Sequence, residues 1–116
     1  MKGTIRSAYI CVRDMDRAIK FYEGFFETEV LIKDELYSVF DIKGFRLGLF
    51  NNEKINEEHI YGSNCLLSVN YNSLDELKEK MKDKEVCFNL TVIGNNYVSE
   101  IVDSEGNHIE LTCVYE

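Results

Sequence analysis

Positive charge, histidine, long apolar runs and paired cysteines are all scarce in this chain. Lysine and arginine number 13 against 21 acidic residues, a net charge of −8. The resulting field repels phosphate backbones and anionic lipid, so neither nucleic-acid nor membrane binding is expected. No apolar run reaches the ~18 residues of a membrane span. Lys2 is followed by no continuous apolar signal region, and a cytoplasmic location is the expectation. Cys11, Cys65, Cys87 and Cys113 are scattered, with no CxxC pair, and read as buried free thiols rather than a disulfide framework. Nothing beside Cys11 in the sequence would lower its pKa and make it a reactive thiol. The sequence Asn89-Leu90-Thr91 matches a glycosylation acceptor, but without a signal region the match reads as accidental.

What is present suits one ordinary α+β domain. At 116 residues and 45% hydrophobic content, the chain can bury roughly two-thirds of its unfolded surface. Thr4 to Val12 alternates Ala8, Ile10 and Val12 against Ser7, Tyr9 and Cys11, which predicts a strand. Asp14 then caps a helix whose apolar residues Met15, Ala18, Ile19, Tyr22, Phe25 and Phe26 fall on one stripe. Thr28–Lys33, Leu36–Ile42 and Phe45–Asn51 read as three strands, separated by turn signals at Lys33-Asp34-Glu35 and Lys43-Gly44. Residues 52–63 are polar and acidic, which predicts an exposed connection with His59 in solvent. Cys65–Tyr71 is the next strand, with Cys65, Leu67 and Val69 on one face and Asn64, Leu66 and Ser68 on the other. Ser73 and Glu76 make a capping box, and Leu74, Leu77 and Met81 give its helix a buried stripe. Val86–Val92, Tyr97–Val102 and His108–Val114 complete three more strands.

The two halves therefore repeat a βαβββ unit, at about 1–51 and 64–116. SVFDIKGFRLGLF lies 62 positions upstream of the corresponding stretch around DSEGNHIELT. Asp41 matches Asp103, Gly44 matches Gly106, Leu47 matches Ile109 and Leu49 matches Leu111, while Gly48 stands where Glu110 stands. His108 and Glu110, two residues apart, leave the same face of their strand.

The helix entry VRDMDRAIKFYEGFF, the turn and strand DSEGNHIEL, and the repeat itself resemble the vicinal oxygen chelate superfamily, which includes glyoxalase I, bleomycin resistance proteins, extradiol dioxygenases and fosfomycin resistance enzymes. The resemblance implies two βαβββ modules forming a curved, cup-shaped mixed sheet with helices outside, and a homodimer in which strands from a second chain complete each cup. In metal-dependent members, four inward side chains, usually His, Glu or Gln, hold the ion. Those positions fall here on Ser7, Gly48, Asn64 and Glu110. Only Glu110 is a good ligand, and a divalent ion needs about three protein donors, so no cofactor is expected and a divalent metal, though possible, is disfavoured.

With Glu110 inward, strand parity adds His108, Thr112, Arg46, Phe50, Asn64, Leu66, Ser68, Ser7, Tyr9 and Cys11 to the lining. Such a pocket mixes aromatic walls with a few directional polar groups, as small-molecule sites do. Three readings follow. The first is a metal-free binder of a cationic or planar molecule, resembling the bleomycin resistance branch. The second is a glyoxalase-, isomerase- or dioxygenase-type enzyme, with Glu110 as base or ligand and His108 or a metal as electrophile. The third is a regulatory or interaction module that uses the fold as a dimer scaffold. A structural pairing of Glu110 with Arg46 or His108 competes with all three.

Overall fold

Asp14 opens the first helix because its extended backbone lets its carboxylate accept a hydrogen bond from Arg17 N, 3.1 Å away. In the computed structural model, which describes residues 2–62 and 66–115, that helix is α1, Met15–Phe26. It buries Met15, Ala18, Ile19, Tyr22 and Phe25 and packs on the strands β2 (Tyr37–Ile42) and β3 (Phe45–Phe50). Phe26, expected on the same stripe, is only half-buried. A third strand, β1 (Ser7–Cys11), runs parallel to β3, giving a sheet ordered β1-β3-β2.

The expected strand at Thr28–Lys33 is not formed. Among the described residues its ladder contact is a single bridge between Ile32 and Val39. The reason is local: Glu27 leaves α1 in a left-handed conformation, and Val30 N donates to Glu23 Oε2 at 3.0 Å. The segment is thus tied back to the helix end, with Leu31 and Ile32 exposed, and meets β2 at Val39, where Leu31 N and Ile32 N donate to Val39 O and Val39 N donates to Ile32 O.

The second unit repeats the plan with all its strands. β4 (Leu67–Asn70) runs parallel to β7 (His108–Val114), followed by β6 (Asn96–Val102) and β5 (Glu85–Ile93), both antiparallel to their neighbours. The helix α2 (Leu74–Met81) is capped by Ser73, whose hydroxyl accepts from Glu76 N at 3.2 Å. It buries Leu77 against β7, where Ile109, Leu111 and Cys113 form the core side. The chain divides into two compact units, Met1–Ile60 and Tyr61–Glu116, each with its own sheet and helix. The architecture is α+β.

The connecting segment is exposed at residues 53–58 and at Ile60, as its composition predicts, but not throughout. A short 3-10 turn at Asn52–Ile55 begins it, Asn51 and Asn52 are buried, and Asn52 Nδ2 donates to Glu57 O at 2.8 Å. His59, expected in solvent, is half-buried. The expected strand residue Cys65 and the expected lining residue Asn64 lie outside the described residues.

Candidate functional site

The DSEGN turn is what delivers β7 to its place. Buried Asp103 accepts from Glu105 N and Asn107 N, both at 2.8 Å to Oδ1, and from Asn107 Nδ2 at 3.3 Å to Oδ2. Gly106 takes a positive φ of 93° here, a conformation that suits glycine. The turn fixes the β6–β7 register so that Val98 faces Thr112, Glu100 faces Glu110 and Val102 faces His108.

On β7, buried Ile109, Leu111 and Cys113 alternate with half-buried His108, Glu110 and Thr112. The latter three therefore share the face of the sheet away from the core side. Ser68 of β4 is the Cα partner of Glu110, and its hydroxyl donates to Glu110 Oε1 at 2.6 Å. Asn70 is likewise opposite Thr112, which donates to it at 3.1 Å. Across β6, Glu100 places a second carboxylate directly opposite Glu110, and Glu100 Oε1 lies 3.8 Å from His108 Nδ1. Two like charges in direct register destabilise a sheet by some tenths of a kcal/mol up to about 1 kcal/mol. The face is thus acidic at a small structural cost.

Cys87 joins this face from the edge strand. The β5–β6 register shifts by one residue between Val86 and Phe88, leaving Cys87 as the extra residue of a bulge. It is exposed, which corrects the expectation of buried thiols; Cys11 and Cys113 are buried as expected. Partial burial and the nearby charges of Glu100 and Glu85 push the Cys87 thiol up. Burial and Glu57 do the same for Cys11, which keeps it an inert thiol.

The first unit presents a different surface at the equivalent place. Gly48 is the Cα partner of Tyr9 and of Val39, and a Cβ added there would run into the phenol ring of Tyr37. Tyr37, Tyr9 and Phe50 form an aromatic cluster, with ring centroids 5.5 Å apart for Tyr9–Phe50, 6.1 Å for Tyr9–Tyr37 and 6.3 Å for Tyr37–Phe50. Asp34 anchors the start of β2 by accepting from Leu36 N and Tyr37 N at 2.9 and 3.1 Å. Those amides, Tyr37 first, hold its carboxyl below the usual range. Tyr9 remains 55% exposed, Phe50 and Arg46 are half-buried, and Ser7 is exposed. Leu66 precedes β4 and is half-buried.

Thus the second unit brings together Ser68, His108, Glu110 and Thr112, and the first brings together Tyr9 and Phe50. Glu100, Cys87 and Tyr37 were not among the residues expected from sequence. Counting back symmetrically through the turn from Glu110 reaches Glu100, and through the Lys43-Gly44 turn from Phe50 reaches Tyr37. No signal marks the bulge at Cys87.

No family model matches the chain, and no curated protein matches it in sequence. Solved structures do match. A glyoxalase/bleomycin resistance protein/dioxygenase from Nocardioides is 14% identical, with a TM-score of 0.80 over 100% of this chain and 87% of that one. A lactoylglutathione lyase from Agrobacterium tumefaciens is 19% identical, with a TM-score of 0.77 over 97% and 94%. A glyoxalase/bleomycin resistance protein/dioxygenase family enzyme from Burkholderia phytofirmans PsJN is 15% identical, with a TM-score of 0.80 over 96% and 99%. At these identities the likeness is one of fold, and the fold of this chain is that of the vicinal oxygen chelate superfamily.

Proposed function

We propose that the chain binds a small cationic, hydrogen-bond-donating molecule at the acidic sheet face of its second unit, with Glu110 as the anchor. The observation that carries this reading is the direct register of Glu110 with Glu100 beside Ser68. A positively charged ligand would offset the repulsion that the two carboxylates exert on each other. The first unit's partly exposed Tyr9, Tyr37 and Phe50 form a surface of the kind that stacks a planar group. Two of the similar structures are described as glyoxalase/bleomycin resistance/dioxygenase proteins, which supports a small-molecule site on this fold.

The superfamily's four metal positions do not suit an ion here. Gly48 has no donor and faces the Tyr37 ring, and Ser7 is an exposed hydroxyl, a weak ligand. Asn64 lies outside the described residues and is a weak ligand by type, which leaves Glu110 alone. Glu110 is therefore read as a ligand anchor rather than a member of that metal set.

The test is a thermal-shift screen of small cationic compounds, followed by calorimetry on the wild type and Glu110→Gln. The substitution keeps shape and removes charge, so affinity should fall by roughly 1.5–3 kcal/mol with little change in melting temperature. A large melting loss with unchanged affinity would instead mark Glu110 as structural.

We also propose a homodimer. β5 is a nine-residue edge strand whose far end, beyond the bulge, exposes Val92 and Ile93, a surface that a second copy would cover. Light scattering at micromolar concentration should give the dimer mass; a compact monomer there would refute it.

A further inference from the structure

We propose that Cys87, Glu100 and His108 form a binding site for a borderline-soft divalent cation of the zinc class, distinct from the superfamily's four metal positions. The three side chains come from the adjacent strands β5, β6 and β7. Their ligand atoms all lie within 4.8 Å of one another, and His108 Nδ1 and Glu100 Oε1 are 3.8 Å apart. Around a tetrahedral zinc, with nitrogen and oxygen at ~2.0 Å and sulfur at ~2.3 Å, the nitrogen and oxygen donors stand roughly 3.3 Å apart and the sulfur roughly 3.5 Å from each of them. Histidine and glutamate are therefore within about 0.5 Å of coordination spacing, and the sulfur need close by at most about 1.3 Å.

That movement is available to Cys87. It is exposed, it lies on the edge strand, and as the extra residue of a bulge it is not held in the regular ladder. The other two donors are more firmly placed: their side chains are 28% and 25% exposed, and they are diagonal neighbours across the β6–β7 ladder. Preorganised imidazole and carboxylate with a mobile thiol make a site that closes when the ion arrives.

The donor chemistry selects the ion class. A thiolate with an imidazole and one carboxylate favours zinc or cobalt over magnesium or calcium, which require mostly oxygen. Three protein donors leave a fourth position for water or a ligand atom. The cation would also offset the charge of Glu100 facing Glu110. Glu110 itself, engaged by Ser68, is outside the donor set. The inference stands on the three donors and does not depend on the ligand-binding reading.

Reduced, chelator-treated full-length protein titrated with CoCl2 should bind one cobalt ion per chain. It should show a near-ultraviolet thiolate-to-cobalt charge-transfer band and a higher melting temperature with metal. Cys87→Ser and Cys87→Ala should both remove the band, since neither can supply the sulfur. His108→Gln and Glu100→Gln should each weaken cobalt binding by more than the roughly 10- to 100-fold that loss of an outer partner costs. Glu110→Gln should retain band and stoichiometry, so failure of this site and failure of the Glu110 anchor are read separately. Absence of saturable cobalt binding at micromolar metal, or a band that survives in both Cys87 variants, overturns the proposal.

Discussion

Gly48→Ala is expected to destabilise the protein by about 2 kcal/mol, although it adds one methyl group to a strand where alanine is ordinarily tolerated. The added Cβ would occupy space taken by the phenol of Tyr37, so the ring must leave its edge contact with Tyr9 and its tilted contact with Phe50. Backbone strain is not the cause, because Gly48 is a regular β3 residue paired with Tyr9 and Val39. The contrast with a second background isolates the effect. In Tyr37→Ala protein, the same Gly48→Ala change should cost much less, because the space is vacated. Urea denaturation of the four proteins measures the coupling. Equal costs in both backgrounds would show that Tyr37 does not hold that space. The same logic governs an acid placed there: Gly48→Glu, which would copy Glu110 into the first unit, should fold well only when Tyr37 is also removed.

The second large effect is expected at Asp103. Asp103→Ala removes the acceptor of two backbone N–H groups in a buried turn, at a cost of about 1–3 kcal/mol for each donor left unpaired. A total loss near 3 kcal/mol is expected, with the β6–β7 register weakened along with it. Asp41 occupies the matching place in the first unit, yet it is exposed and accepts from Gly44 N, at 2.7 Å. Water can replace that bond, so Asp41→Ala should cost less than about 1 kcal/mol. Comparable losses in the two variants, read from denaturation midpoints, would show that burial of the DSEGN turn does not set its contribution.

Much of the fold was legible because local physics wrote it. The Asp14 and Ser73 caps, the 3.6-residue stripe from Met15 to Phe25 and the two-residue alternation from His108 to Cys113 each follow from neighbours in the chain. The same is true of the internal repeat, since both Asp-to-Gly turns use side-chain acceptors a few residues away. The missing strand at Thr28–Lys33 shows where such reasoning stops. Its residues have strand character, but the Glu23 carboxylate seven positions before Val30 captures its amide, and a side-chain hydrogen bond of that kind leaves no periodic trace.

The candidate site divides along the same line. Parity alone placed His108, Glu110 and Thr112 on one face, because strand geometry alternates whatever the neighbours are. What stands opposite them depended on register between strands distant in sequence: Ser68 against Glu110 across 42 positions, and Tyr37 over Gly48 across a hairpin. Cys87 reached the acidic face through a bulge, a one-residue slip that reverses the direction of a side chain and cannot be read from composition or alternation. The sequence by itself therefore determined the two-unit α+β plan and the face on which Glu110 sits. Only the tertiary structure decided that this face pairs two carboxylates with a histidine and a thiol, because cross-strand register is set by packing and turn geometry acting on the whole sheet.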